Sequence, residues 1–166
     1  VLYLDACAVV KRYVDERDGA TALMEQLLVD AAPWGGLVAS EWMVLEFTSA
    51  LAKKRRTGQL RPHAYGDLLS RFRVDVDGMD LIPVDSATLD GATRLMERVG
   101  GTRSIHSGDA IHLHTAVQLR GDLDASGALV FVTADDGLKS VAAADGLPVF
   151  DPRFDRIPDL ERLIDG

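Results

Sequence analysis

Hydrophobic and polar positions along the chain alternate between two periods. Short apolar runs, "VLYL" (1–4), "GLVAS" (36–40), "MDLIPV" (79–84), "ALVFVT" (128–133) and "LPVF" (147–150), have the length and composition of buried strands. The longer segments between them repeat apolar residues at helical spacing. The first, "ACAVVKRYVDE", follows the first strand directly. Asp18 is placed to cap a second, in which Ala20, Leu23, Met24, Leu27 and Leu28 share a face. A third runs from Ser40 to about Arg56, with Gly58 just beyond it, and Pro62 opens a fourth that reaches about Val76. Asp85 or Ser86 caps a fifth, ending near Gly100; a sixth runs from Asp109 to about Leu119, and a seventh covers 137–145. Strands that alternate with helices predict right-handed crossovers and an α/β fold, its central parallel sheet of four to five strands flanked by helices. Ligands of such sheets bind beyond the carboxyl ends of the strands.

Composition narrows the class. At 166 residues, 47% of them hydrophobic and 27% charged, the chain has the make-up of one soluble globular domain. No apolar run approaches the ~20 residues that span a bilayer. The opening "VLYLDACAVV" holds an Asp and no basic leader, so it reads as a strand, not a signal peptide, and a cytoplasmic location is expected. The single Cys7 excludes an internal disulfide. The net charge of −8 argues against wholesale coating of nucleic acid. Yet residues 53–73 gather seven Lys and Arg residues against Asp67 alone. That patch is either a guide for a polyanion or a solvated helix end, and the composition leaves both open.

Four carboxylates stand apart from other charges. Asp5 is the only charge in residues 1–10 and follows the first strand. Glu46 is the only charge in "WMVLEFTSALA", inside an otherwise apolar-rich helix. Asp109 is the only acid in residues 98–121 and starts a helix, while Asp135 follows the fourth strand. Each has a structural explanation: Asp5 as a helix cap, Glu46 as an ion-pair partner, Asp109 as a complement to its helix dipole, Asp135 as a turn residue. Together they point to one mouth of the sheet. Clustered carboxylates repel one another and raise each other's pKa, and a divalent cation reverses that logic. An all-oxygen donor set of this kind favours Mg²⁺, with Mn²⁺ as a substitute.

At this point the segments carry a resemblance. "YLDACAVVKRYVDE" resembles the first motif of the PIN-domain ribonucleases, particularly the VapC toxins of bacterial toxin–antitoxin pairs, and "SEWMVLEFTSALAKKRRTG" resembles their second acidic helix. "SGDAIHLHTA" and "FVTADDGL" are similar to the third and fourth motifs. The ordered set spans about residues 1–150, which leaves 151–166 as an extension expected to pack on the same domain. The resemblance implies a PIN-like three-layer fold, with Asp5, Glu46, Asp109 and Asp135 as the acidic metal-site residues. It matches Thr133 to the hydroxyl of the fourth motif and Lys11 to the basic residue of the first helix. It implies a Mg²⁺- or Mn²⁺-dependent endoribonuclease, a homodimer, and inhibition by a cognate VapB-type antitoxin whose C-terminal segment enters or covers the groove.

Cys7 departs from the family, which usually carries Ser or Thr there; a thiol is the weaker hydrogen-bonding group, although a small residue is all that the helix start demands. Asp136 is an accessory-ligand candidate beside Asp135, and Arg55, Arg56 and Arg61 are candidate RNA phosphate contacts. His106, His112 and His114 cluster near Asp109; His112 shares a helix face with it, so a His-containing metal site is one reading, and the expected one is that His112 packs against the sheet while His114 lies on another face. Trp34, Trp42 and Phe47 read as core or dimer-interface residues. The expected reaction is metal-assisted hydrolysis of RNA that leaves 5′-phosphate and 3′-hydroxyl ends, with Asp5, Asp109 and Asp135 holding the principal ion and Glu46 completing the site or holding a second ion. Two rivals stand beside it: an acid-cluster phosphatase or phospho-acceptor domain with Asp5 as nucleophile, and a non-catalytic interaction module on the same fold.

Overall fold

Leu2, Tyr3 and Leu4 are fully buried and form β1 (Leu2–Leu4), the central strand of the sheet. β1 pairs in parallel with β2 (Leu37–Ser40) on one side and β4 (Val130–Val132) on the other. β3 (Asp80–Ile82) flanks β2 and β5 (Val149–Phe150) flanks β4, so the order is β3-β2-β1-β4-β5 with every neighbour parallel. The chain steps outward from β1 to β3, then returns to lay β4 on the opposite side of β1. Strand order therefore reverses between β1 and β4, and a crevice opens there beyond the carboxyl ends. The computed structural model describes residues 1–123 and 127–166.

Side chains alternate across the sheet. Leu2, Leu4, Leu37, Ala39, Val130, Val132 and Phe150 share one core with α1 (Ala6–Tyr13), α2 (Ala20–Val29), α3 (Trp42–Arg56), α4 (Pro62–Val76) and α8 (Ile157–Asp165). Tyr3, Val38 and Phe131 face the other core, built with α5 (Ser86–Val99), α6 (Ser107–Asp122) and α7 (Asp136–Ala144). The result is three layers, helices on both faces of a five-stranded parallel sheet, as the alternating pattern predicts. Among the described residues no helix is long and apolar enough to cross a membrane.

Several boundaries differ from the sequence reading. α1 stops at Tyr13, short of Glu16, where Val14 turns extended (φ −131°, ψ 112°), and Arg17 and Gly19 in the following loop take left-handed φ values of 62° and 79°. Gly19, not Asp18, is the N-cap of α2; Asp18 Oδ1 accepts the Ala20 N–H at 3.2 Å, and its other oxygen pairs with Lys11. α6 begins at Ser107, which puts Asp109 within its first turn. Residues 151–166 contain a helix of their own, α8, which seats the fully buried Leu160 in the first core.

The segment after β5 is anchored by charge. Asp151 is 3% exposed and accepts from Lys139 Nζ at 2.8 Å and from Arg153 Nε and Nη2 at 2.9 and 2.7 Å. Burial alone would raise its carboxyl; the bonds to Arg153 and Lys139 outweigh burial and hold it down at about 2, against an ordinary 3.8. A depressed carboxylate contributes its stability in full above the unfolded value and loses it as pH falls through the folded one. Asp151→Asn should cost about 2 kcal/mol near neutrality and remove that acid-dependent loss. Chemical denaturation of both proteins at neutral pH and near pH ~2 checks this; parallel losses on acidification would contradict it.

Candidate metal centre

Asp5 ends β1 and occupies the N-cap position of α1, yet its carboxylate makes no cap bond. It is 4% exposed, and Oδ2 instead accepts from Cys7 Sγ at 2.5 Å and from Thr133 Oγ1 at 2.8 Å. Thr133, fully buried at the end of β4, also accepts the Asp135 N–H at 3.1 Å, so one hydroxyl links the two acids across the strand-order reversal. Cys7 Sγ in turn accepts the Ala134 N–H at 3.2 Å. Burial first, then the charge of Asp5, pushes the Cys7 thiol up, which keeps it protonated and argues against a thiolate nucleophile.

Glu46 comes from the second turn of α3. Its Oε2 lies 2.7 Å from Nε2 of His112, a fully buried residue of α6 whose Nε2 is also 3.8 Å from Asp5 Oδ1. Burial disfavours charge on His112, but its bond to Glu46 and the charges of Asp5, Glu46 and Asp109 outweigh this and raise its pKa. Asp109 and Asp135 each give an oxygen to a helix start: Asp109 Oδ2 accepts the His106 N–H at 2.5 Å, and Asp135 Oδ1 accepts the Leu138 N–H at 2.7 Å. The sequence offers a helix-dipole role for Asp109 and a turn role for Asp135 as structural explanations; here each caps a helix start with one oxygen and leaves the second available. Asp5, Glu46, Asp109 and Asp135 line one cavity of about 200 Å³, together with Ala6, Cys7, Val10 and Ala50.

Residues 2–144 match the family model of the PIN domain. The chain belongs to the PIN domain family. No curated protein matches it in sequence. Solved structures of similar fold include FitAcB from Neisseria gonorrhoeae, 18% identical, with a TM-score of 0.60 over 93% of this chain and 99% of that one. VapBC2 from Rickettsia felis, bound to a DNA fragment of its promoter, is 14% identical, with a TM-score of 0.56 over 91% and 98% of the two chains. A toxin–antitoxin complex from Klebsiella pneumoniae is 17% identical, with a TM-score of 0.55 over 92% and 98%.

The site of this PIN domain suits a divalent cation, which PIN domains generally use. Burial raises the Asp109 carboxyl; its bond to the His106 N–H opposes this, and the charges of Asp5 and Asp135 add to the rise. Like charges thus press on one another across the cavity, a repulsion that a bound cation turns into attraction. Asp5, Glu46 and His112 each bring a donor atom within 4.8 Å of the others. Asp109 and Asp135 border the same space but fall outside this tight set. The sequence expectation grouped Asp5, Asp109 and Asp135 most closely and left Glu46 at the margin.

Other candidates lie elsewhere. Asp136 pairs with Arg153 Nη2 at 2.7 Å and Lys139 Nζ at 3.2 Å and is not among the residues that line the cavity. Lys11 pairs with Glu16 and Asp18. A groove of about 420 Å³ adjoins the acidic cavity, sharing Cys7, Val10 and Ala50 with it, and Lys11, Lys53 and Lys54 line it. Arg55, Arg56 and Arg61 are exposed and do not line it; Arg55 stacks over the Tyr65 ring with its guanidinium 5.1 Å from the centroid. The helical period holds the signal that was missed: Ala50, Lys53, Lys54 and Thr57 lie four, seven, eight and eleven residues beyond Glu46, on its face of α3. His112 was placed on the face of Asp109 by its spacing, and what the sequence did not show is its bond to Glu46.

Proposed function

We propose that this PIN domain is the toxin of a toxin–antitoxin pair, a metal-dependent endoribonuclease inhibited by a cognate VapB-type antitoxin. The observation that carries the reading is Asp5. A carboxylate at an N-cap that makes no cap bond to the backbone of its helix and lines a cavity with three other acids is arranged for a cation, not for capping. Asp5, Glu46, Asp109 and Asp135 would hold Mg²⁺ or Mn²⁺. A bound cation supplies the Lewis acidity that makes water a nucleophile near neutral pH and polarises a phosphodiester. Thr133 and Cys7 fix the Asp5 carboxylate, and the starts of α6 and α7 fix those of Asp109 and Asp135, so the acids meet the phosphate already ordered. The antitoxin partner is supported by the company of the fold, since FitAB and VapBC2 were solved as assemblies on DNA and the Klebsiella pneumoniae structure is a toxin–antitoxin complex. A homodimer belongs to the same reading, and light scattering tests it.

The deciding experiment is cleavage of end-labelled RNA and DNA oligonucleotides with added Mn²⁺, comparing wild type with Asp5→Asn. RNA cut only with metal, to 5′-phosphate and 3′-hydroxyl ends, and only by wild type, is the expected result. Cyclic 2′,3′-phosphate ends would sink the mechanism, and a phosphoryl group trapped on Asp5 would favour the phosphatase reading.

The groove predicts how RNA binds. Lys53→Gln and Lys54→Gln, made in uncleaving Asp5→Asn protein, should each weaken RNA binding and reduce the salt slope by about 1. Arg56→Gln and Arg61→Gln should leave the slope nearly unchanged. Fluorescence anisotropy across a salt series gives the answer, and the reverse pattern would move the RNA path to the far end of α3.

A further inference from the structure

Glu46 has one hydrogen-bond partner among the described residues, Nε2 of His112 at 2.7 Å. Glutamate has three rotatable bonds, and fixing them costs entropy that some contact must offset. α6 supplies that contact at two points one turn apart. At Gly108 a Cβ would stand 1.8 Å from Glu46 Oε1 and 3.2 Å from Trp42 Nε1, so the carboxylate lies directly against the helix backbone. At His112 the fully buried imidazole meets Oε2. The ring is itself backed by the buried Tyr3, whose hydroxyl is 3.4 Å from Nδ1 and whose ring meets it edge-on at 6.2 Å. His112 does not line the acidic cavity, whereas Glu46 does. The imidazole therefore stands behind the carboxylate.

From this geometry we infer that His112 is a positioning residue: it holds the Glu46 carboxylate at the cavity in the orientation that receives the cation, and does not itself bind the ion. This role rests on the metal-centre reading above and adds to it a residue of α6 outside the four acids. Partners of this kind, hydrogen-bonded to a ligand from behind, commonly matter about 10–100-fold to metal affinity. Glu46 and His112 sit on different helices, so the contact also locks α3 to α6 at the site.

Two measurements test it. The first needs no metal: the ¹⁵N resonances of the His112 imidazole, in the metal-free protein, should move in Glu46→Gln relative to wild type, because the ring loses its charged partner. The second is Mn²⁺ affinity, read from the EPR signal of the free ion. His112→Ala should weaken binding about 10–100-fold, and His112→Gln, whose amide can still donate to Glu46, should recover most of it. In a Glu46→Gln background, His112→Ala should add no more than about twofold, the scatter expected of independent effects. If His112→Ala does not fold, His112→Gln and Gly108→Ala carry the test; the latter displaces Glu46 from the other side and should also weaken Mn²⁺ binding. Imidazole ¹⁴N coupling to bound Mn²⁺ would make His112 a ligand and overturn the proposal, as would fully multiplicative losses or unmoved imidazole resonances. A wild-type protein that binds no Mn²⁺ would overturn the metal-centre reading and this role with it, while the metal-free measurement still reports whether the His112–Glu46 bond exists.

Discussion

Asp5→Asn should abolish metal-dependent RNA cleavage while leaving the fold intact. The substitution keeps the shape of the side chain and one oxygen to accept from Thr133 or Cys7, so the β1–α1 junction retains its packing. The lost charge is another matter. Metal catalysis of phosphodiester hydrolysis supplies several kcal/mol of transition-state stabilisation, and loss of about 4 kcal/mol lowers the rate on the order of 10³-fold. Stability without metal should hold or rise slightly, because the charge of Asp5 is one of those that raise Asp109. Single-turnover cleavage and thermal melting of the metal-free protein measure the two effects separately. Wild-type cleavage by Asp5→Asn, with its end groups unchanged, would remove the acids from the mechanism.

Phe47→Ala should produce the largest loss of stability among substitutions near the site. Phe47 is fully buried, stacks on Phe72 with centroids 3.6 Å apart, and meets Tyr13 edge-on at 4.9 Å, so one ring joins α1, α3 and α4. Removing such a ring costs about 3–5 kcal/mol, transfer and cavity together. In a chain of this size that lowers the melting temperature by about 6–20 °C. Leu45, two residues earlier and 57% exposed, is the control: Leu45→Gln should stay within about 0.5 kcal/mol. Residues 45, 46 and 47 thus face solvent, site and core in turn, and a melting curve for each variant separates them. Equal losses at 45 and 47 would mean that α3 packs differently.

The sheet and most helices were legible because period and length speak for themselves in a parallel α/β chain. Strand order was not, since alternation predicts crossovers without saying on which side of β1 the fourth strand lands. Asp5 and Glu46 stood out because each is the lone charge in an apolar segment. Asp109 and Asp135 stood out too, but pattern could not show that each divides its oxygens between a helix cap and the cavity. His112 was read as a core residue and is indeed fully buried; its bond to Glu46 depends on how α3 crosses α6, which no local pattern encodes. α8 escaped notice because it is short and commits one fully buried residue to the core. Asp136 neighbours Asp135 in sequence, but successive side chains diverge at a helix start, and its carboxylate pairs with Arg153 and Lys139.

Glu16 reaches from the loop after α1 to both Lys11 and Lys54, and so closes the basic groove with an acid of the protein's own. It stands where a phosphate would find its countercharge. A polyanion entering by that route meets Lys53 directly but must evict Glu16 before it gains Lys54. Salt loosens the same clasp as it screens the incoming strand, so the two effects on binding oppose each other at modest ionic strength.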